Sequence, residues 1–212
     1  MQNQNNLKIL VECAIMAGLA TVLSLFKIWE APLGGAVTLF SMVPIIIIAL
    51  RHGPAWGFAA AFIYSNTQLL LGFGNIAWIP TVSGKIAGVF LDYIIAFAIL
   101  GAAGFFKFAL DKTEKRSIKI IVISIATLFV CILRYTAHVI VGAVVWYSIT
   151  KAGNWNDYVH TVGAWTYSII YNLQYMLPET VITLVAAPAV VTVLSIINKN
   201  KNKNKRSQKP GL

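Results

Sequence analysis

Six long apolar stretches constrain the fold of this chain more than any other feature of its sequence. They cover residues 9–28, 36–50, 53–72, 84–107, 118–147 and 163–197. A helix needs about 20 mainly apolar residues to cross the hydrocarbon core of a bilayer. The stretches are continuous and do not alternate, so they predict helices rather than the strands of a barrel. The last one is long enough for Pro178 and Pro188 to kink or divide it.

The chain cannot cover its surface with charge, so lipid must be part of its solvent. Of its 212 residues, 58% are hydrophobic and 11% are charged, whereas about 25% are charged in a typical soluble domain. The predicted fold class is an all-α integral membrane protein with six transmembrane helices in a compact bundle. We expect residues 1–197 to form this single domain, with no separate soluble module.

The basic residues are distributed unevenly between the two sides that six spans would create. With both termini in the cytoplasm, the inside segments hold 13 of the 17 lysines and arginines, as cytoplasmic segments of membrane proteins usually do. Residues 198–212 form a basic tail that we predict to be disordered. It acts as a solvated topology anchor or contacts anionic lipid. Topology thus accounts for the net charge of +10, and no nucleic-acid partner is expected.

Motifs for covalent or metal chemistry are missing from the sequence. SGK at 83–85 resembles the end of a phosphate-binding loop, but the upstream glycine is absent and Ile86 replaces the residue that would bind magnesium. There is no nucleophile elbow and no metal motif, and Cys13 and Cys131 fall in predicted spans as apolar fillers. We expect no enzyme, no metal and no cofactor, so energy for uphill transport would come from elsewhere.

Asp92 is the ionisable residue that lies deepest in the fourth stretch. Ionisable side chains inside an apolar span cost free energy, which makes them candidates for function. Tyr93 is its neighbour, and Lys85 lies seven residues earlier on nearly the same helical face. Two interpretations stay open at this point. Asp92 forms an internal ion pair with Lys85 or Arg134, or it is the counter-charge for a cationic ligand.

The fifth stretch has a polar and aromatic face. At about 100° per residue, Tyr135, His138, Gly142 and Trp146 fall within an arc of about 80°, and Arg134 lies at its edge. A lone histidine in a helix is commonly a core residue. On this face, however, a tryptophan, a tyrosine and a gap at Gly142, where a flat ring could lie, favour a pocket.

The sixth stretch adds a wide polar and aromatic surface between residues 164 and 180. It contains Trp165, Tyr167, Tyr171, Asn172, Gln174, Tyr175 and Glu179. Tryptophan is also a plain membrane-interface anchor, whereas a buried amide such as Asn172 needs partners. Glu179 either stabilises the helix at Pro178 or faces a subunit. The three polar faces together predict an outward-opening pocket for a small, flat, cationic heteroaromatic molecule, bound by cation–π contacts and one carboxylate.

Four segments, together with the six predicted spans, resemble a known family. GGAVTLFSMVPI (34–45), LDYIIAFAILGAAG (91–104), RYTAHVIVGAVVW (134–146) and TYSIIYN (166–172) are similar to segments of the thiamine-specific S components of energy-coupling factor (ECF) transporters. The resemblance covers essentially the whole chain except the basic tail. The small residues Ala14 and Gly18 have the spacing of close helix packing in lipid, and AIMAG (14–18) is similar to the AxxxA motif of the family's first helix.

The resemblance implies a site, partners and a location. The implied ligand site consists of Asp92, Tyr93, Arg134, His138, Trp146, Tyr167 and Asn172. Ala14 and Gly18 would dock the chain on a transmembrane coupling subunit that works with two cytoplasmic ATPases; the alternative is packing within the chain. The implied function is high-affinity thiamine binding for ATP-driven uptake across the bacterial cytoplasmic membrane.

Thiamine suits the predicted pocket because it has a cationic thiazolium, a flat aminopyrimidine and a hydroxyl group. Asp92 would complement the positive charge or the aminopyrimidine donors, and Trp146, Tyr93 and His138 would stack. Two departures from the family pattern concern the pocket. Some members carry Glu at the position of Asp92 and Trp near that of Gly35, which implies a rearranged pocket here.

Two other functions compete with this one. The first is an S component for another vitamin or precursor, such as hydroxyethylthiazole or riboflavin. The second is a stand-alone proton-coupled carrier that uses Asp92, His138 and Glu179 as a relay. The absence of visible internal repeats weighs against the carrier, since many secondary transporters contain such repeats.

Overall fold

The computed structural model describes residues 2–32 and 34–207, and this part of the chain is built of seven main helices and one β-hairpin. The helices are α1 (Gln2–Leu25), α2 (Val43–His52), α3 (Pro54–Ala77), α4 (Val82–Asp111), α5 (Arg116–Gly153), α6 (Ala164–Val185) and α7 (Ala187–Ser207). A short 3₁₀ turn, Asp157–His160, lies between α5 and α6. The prediction of a mainly helical membrane protein is therefore confirmed.

Three of these helices are long and apolar enough to cross a membrane by themselves. They are α1, α4 and α5, and α6 with α7 makes a fourth if the pair, bent by 43°, is counted as one span. α2 is apolar but has only 10 residues, and α3 is interrupted by the polar run SNTQ at 65–68. The six-span arrangement, with both termini in the cytoplasm, stays a prediction.

Proline divides the last stretch where the sequence allowed it. The break falls between Val185 and Ala187, just before Pro188, which lies in the first turn of α7 where its missing N–H is not needed. Pro178 lies inside α6 without ending it. α7 continues to Ser207, through part of the segment for which the sequence predicts disorder, and residues 208–212 lie outside the described residues.

A β-hairpin that the all-α prediction did not include connects α1 to α2. Strands β1 (Lys27–Glu30) and β2 (Ala36–Thr38) pair antiparallel, with Trp29 opposite Val37. Gly34 and Gly35 have φ values of 96° and 90° in the turn, a region that glycine enters without strain. The hairpin lies at one end of the bundle, called the hairpin end below.

The short helix α2 is the centre of the bundle. Every residue from Pro44 to Leu50 is buried, as expected for a helix that is apolar on all sides. α1, α3 and the second half of α4 pack around it. Since α2 begins only at Val43, the space between its first turn and the hairpin is left to a cavity, which Ser41 lines.

Glycines bring α3 and α4 into backbone contact. A Cβ atom at Gly101 of α4 would meet the backbone of Gly57 and Phe58 of α3, and a Cβ atom at Gly57 would meet the carbonyl oxygen of Gly101. Small residues permit such close approach between helices in lipid, where packing rather than the hydrophobic effect holds helices together.

We predict that Gly101→Ala lowers the thermal stability of the detergent-solubilised chain, because neither backbone can move away without separating the helices. The expected loss is about 1–3 kcal/mol, the usual cost of an overpacked contact. Gly18→Ala is the matched control, since a Cβ at that helical glycine meets no atom within 4 Å. Equal unfolding temperatures for the two variants, followed by circular dichroism, would contradict the close contact.

Candidate functional site

All seven side chains that the sequence nominates for a ligand site line one cavity of about 410 Å³. They are Asp92, Tyr93, Arg134, His138, Trp146, Tyr167 and Asn172. The cavity lies between the hairpin and the parts of α3, α4, α5 and α6 that are nearest to the hairpin end. Its volume falls within the range of about 300–1,000 Å³ that is usual for small-molecule sites.

The Asp92 carboxylate joins α4 to α5 at the middle of the cavity. Its Oδ1 lies 2.9 Å from His138 Nδ1, and its Oδ2 accepts a hydrogen bond of 2.6 Å from Trp146 Nε1. An ionised carboxylate only accepts hydrogen bonds, so the first contact requires the proton on His138 Nδ1. No lysine or arginine of the described residues forms an ion pair with Asp92, so pairing with Lys85 or Arg134 is not observed.

Two π-helical turns present the residues of this contact. Val89–Ile95 in α4 contains Asp92, and Gly142–Trp146 in α5 ends with the tryptophan that donates to it. Such turns widen a helix locally and are frequent at functional sites. They also change the angular position of every residue beyond them, which a uniform 100° per residue does not describe.

Tyr93 belongs to the α3 side of the cavity. Its hydroxyl donates to the carbonyl oxygen of Gly72 at 2.9 Å and lies 3.5 Å from Asn75 Nδ2. A Cβ at Gly72 would collide with the Tyr93 ring. Gly72 therefore lets this ring approach α3 closely, and Tyr93 lines the cavity beside Asp92.

Asn172 connects α6 to α5 behind His138, because its Nδ2 lies 3.4 Å from the His138 carbonyl oxygen. Its Nδ2 donates to the Ser168 carbonyl oxygen at 2.8 Å, and its Oδ1 accepts a 2.5 Å hydrogen bond from the Tyr175 hydroxyl. Ser168 also occupies the space that a side chain at Gly142 would need. Gly142 thus serves the contact between α5 and α6, and it also lines the cavity between His138 and Trp146, so a flat ring beside this glycine stays a prediction.

Stacked tyrosines of α6 form the side of the cavity that is nearest to the hairpin. The rings of Tyr167 and Tyr171 are stacked with their centroids 5.8 Å apart and an angle of 19° between their planes. Tyr175 follows one turn later and places its ring edge against His138, with centroids 5.9 Å apart. Tyr135, by contrast, is not part of the lining, because its hydroxyl donates to the Ile169 carbonyl oxygen at 2.9 Å.

Arg134 and Glu179 lie at the floor, further from the hairpin end than His138 and Asn172. The Arg134 guanidinium lies over the Phe97 ring, 4.2 Å from its centroid, and donates to the sulfur of Met42. Its Nε is buried and forms no hydrogen bond to a described residue, and the same is true of His138 Nε2. The cavity therefore contains two polar nitrogen atoms without protein partners in the described residues.

The charged side chains of the cavity lining do not balance each other. Lys27 and Glu30 of the hairpin pair with each other at 2.7 Å, so the wall has no net charge. Beyond this pair the lining holds one cation, Arg134, and two carboxylates, Asp92 and Glu179, so it carries one unbalanced negative charge. Neither carboxylate forms an ion pair with a lysine or arginine of the described residues. Among the described residues no group of three or more His, Cys, Asp or Glu could hold a metal ion.

The hairpin is a wall of the site that was not predicted from the sequence. Gly34, Gly35, Ala36 and Thr38 all line the cavity. The ring of Tyr175 occupies the space beside Gly35 that a Cβ would take. The consecutive glycines were the available signal, because a Gly-Gly pair between short runs marks a turn.

The two predicted docking residues lie outside the cavity. Ala14 and Gly18 are exposed on α1, and a Cβ at Gly18 would meet no atom within 4 Å. Packing within the described part of the chain therefore does not account for Gly18. Large apolar side chains flank this face, including Val11 and Ile15, which are 50% and 64% exposed.

Apolar helices around a cavity with aromatic walls and one unbalanced carboxylate define a helical membrane protein with an internal, ligand-sized site. Comparison with known proteins then shows the family. The chain belongs to the thiamine transporter family, because the family model described as Thiamine transporter protein (Thia_YuaJ) matches residues 10–201. This membership confirms the family that the sequence motifs indicated.

Individual relatives agree with this assignment. The chain is 34% identical over 187 residues to the thiamine transporter ThiT of Bacillus subtilis (strain 168), covering 86% of this chain and 89% of the relative. It is 28% identical over 198 residues to ThiT of Lacticaseibacillus paracasei, covering 91% of each. A solved structure of ThiT from Listeria monocytogenes has the same fold, with a TM-score of 0.71 and 23% identity over 89% of this chain and 96% of that one. The relatives are transporters, not enzymes.

The contact between Gly35 and Tyr175 can be tested with two neighbouring glycines. We predict that Gly35→Ala lowers the unfolding temperature more than Gly34→Ala does. Both substitutions place alanine at a positive φ, which costs about 1–3 kcal/mol. Only the first also meets the Tyr175 ring, since a Cβ at Gly34 has ordinary contact with Asn75 at 3.6 Å. Thermal unfolding of the two variants isolates the steric effect, and equal losses would refute it.

Proposed function

We propose that this chain is the thiamine-binding S component of an ATP-driven energy-coupling factor transporter in the bacterial cytoplasmic membrane. The observation that carries the proposal is Asp92, a carboxylate inside the cavity with two hydrogen-bond donors and no cation. Burial of an unbalanced charge costs several kcal/mol. A cationic ligand offsets that cost, and this is the charge that thiamine carries on its thiazolium.

The rest of the lining suits a molecule with two flat rings. Trp146, Tyr93 and the stacked pair Tyr167–Tyr171 offer π faces, which attract a cation within about 6 Å of a ring centroid. His138 Nε2 has no hydrogen-bond partner among the described residues, so it is available to a polar group of an aminopyrimidine. The cavity of about 410 Å³ is large enough for both rings of the vitamin.

The proposed topology has six spans with both termini in the cytoplasm, so that the hairpin end faces outward. The sequence offers no phosphate-binding loop, and ATP hydrolysis is accordingly assigned to two partner ATPases. The exposed small-residue face at Ala14 and Gly18 is the proposed contact with the transmembrane coupling subunit, because small residues allow close helix approach in lipid. Two relatives are named thiamine transporters, and these names support thiamine as the ligand.

The first test is a titration of the purified, detergent-solubilised chain with thiamine, followed by tryptophan fluorescence. We expect saturable quenching by thiamine and none by riboflavin or biotin. Asp92→Asn should weaken binding by roughly 10- to 100-fold, since a contact with a charged partner contributes about 1.5–3 kcal/mol. Trp146→Phe keeps an aromatic ring but loses the hydrogen bond to Asp92, so a smaller loss is expected.

Asp157→Asn is the matched control for this titration, because Asp157 is an exposed residue of the 3₁₀ turn outside the cavity lining. Equal affinities for the Asp92 and Asp157 variants would refute the role of Asp92. Binding of hydroxyethylthiazole or riboflavin in place of thiamine would keep the transporter class and change the ligand. Thiamine flux into liposomes by the chain alone would instead favour the carrier.

The docking face gives a separate prediction. Gly18→Leu should reduce copurification of the chain with its coupling subunit and ATPases, and should reduce ATP-dependent thiamine uptake in cells. The bulky side chain would prevent close approach of a partner helix at a position that is open in the isolated chain. Ala152→Leu, which places the same bulky side chain at an exposed residue of α5, is the control. Unaltered copurification of the Gly18 variant would exclude this face.

A further inference from the structure

Glu179 is a buried ionisable group to which thiamine binding itself assigns no role. It lies in α6 within the bundle, and only 2% of it is exposed. No lysine or arginine of the described residues forms an ion pair with it. A carboxylate in such a place is stable only if other groups satisfy its oxygen atoms.

Thr38, the last residue of strand β2, and Ser41 supply the hydrogen bonds to this carboxylate. The backbone N–H of Thr38 donates to Glu179 Oε2 at 2.5 Å, and the Thr38 hydroxyl lies 2.7 Å from Oε1. The Ser41 hydroxyl lies 2.6 Å from Thr38 Oγ1 and 3.4 Å from Oε1. A hydroxyl has one proton. The Thr38 hydroxyl places its proton on Ser41 Oγ or on Glu179 Oε1, and the Ser41 hydroxyl donates to Oε1, so the three groups form one network of hydrogen bonds.

Glu179 is the last member of a stripe on α6 that holds the hairpin. Residues four apart lie on the same face of a helix, and Tyr171, Tyr175 and Glu179 follow this spacing. The Tyr171 hydroxyl donates to the Gly34 carbonyl oxygen at 2.9 Å. The Tyr175 ring packs against Gly35. The stripe therefore contacts the hairpin at its turn and again at the end of β2.

We infer that Glu179 is a positioning residue for ligand binding, which acts through Thr38 by fixing the hairpin as a wall of the cavity. This inference rests on the proposed function, because the ligand whose lifetime it controls is thiamine. Loss of the carboxylate frees the end of β2, and the wall then separates from α6 more often. A bound molecule leaves faster as a result, while its rate of association changes little.

The test combines two measurements on the full chain in detergent. Stopped-flow fluorescence gives the rate constants for thiamine association and dissociation, and hydrogen exchange of the ligand-free chain reports on the backbone amides of residues 27–41. For Glu179→Ala we expect about tenfold or faster dissociation, because two hydrogen bonds to a charged group are lost. We also expect faster exchange in the hairpin, above all at Thr38, whose own N–H is the donor.

Variants of Thr38 separate a positioning role from direct contact between Glu179 and the ligand. Thr38→Val removes one hydrogen bond to the carboxylate and keeps its charge, and should speed dissociation by a smaller factor. Thr38→Ser restores the hydroxyl and should lie closer to the wild type than Thr38→Val. Glu114→Ala is the matched control, since that side chain is 95% exposed and far from the hairpin in sequence.

The outcomes distinguish the two proposals. Unchanged dissociation and exchange in Glu179→Ala would overturn the inference, as would a dissociation rate in Thr38→Val equal to that of the wild type. A variant that merely unfolds would lower the fraction of binding-competent protein without changing the rate constant of the remainder. If the wild type does not bind thiamine, the proposed function fails, and unchanged hairpin exchange in Glu179→Ala would still overturn the positioning role.

Discussion

The hydrogen bonds that Asp92 accepts from His138 and Trp146 hold together the two helices on which the cavity depends. A carboxylate in this position is costly unless it is solvated by the protein, and α5 supplies both of its donors. Two π turns bring the groups face to face. These irregular turns carry Asp92 and Trp146, which form one of the polar contacts of the cavity.

Glycine contacts determine where the helices can meet around that centre. Gly57 and Gly101 join α3 to α4 by their backbones, and Gly142 lets Ser168 of α6 approach α5. Gly72 admits the Tyr93 ring against α3. These contacts fix the distances between the helices, and the cavity is the space that remains between them. Its shape follows from backbone contacts, and its chemistry from the few polar side chains that project between them.

Much of this arrangement was predictable because bilayer length and side-chain chemistry leave clear patterns. The helices follow the apolar stretches. The resemblance to a family named seven site residues, and all seven line the cavity. The errors have identifiable causes. Tyr135 was placed on the site face by its spacing from His138, yet its hydroxyl donates to the carbonyl oxygen of Ile169 and the residue does not line the cavity. The contact of Gly142 with α6 was not predicted, because a sequence does not show that Ser168 lies against this glycine.

The hairpin could not be predicted from the periodicity of apolar residues, for a different reason. Its strands have four and three residues, too short for an alternating pattern to stand out beside long apolar stretches. Its position depends on contacts with α6 that are distant in sequence, such as the bond from Thr38 to Glu179. A single chain does not reveal such pairs, whereas the Asp92 and Glu179 carboxylates were both conspicuous as charges in apolar surroundings.

The placement of α1 relates the proposed docking face to the cavity. Ala14 and Gly18 are exposed on this helix, and Ser24, in its last turn, lines the cavity. Hydrogen bonds link the same end to α3, from Gln68 to Ser24 at 2.8 Å and between Thr21 and Thr67 at 2.8 Å. Polar contacts between helices are directional and do not slide freely in lipid. A partner that tilts α1 through its small-residue face would therefore also move the α3 wall of the cavity, which carries the contact with Tyr93.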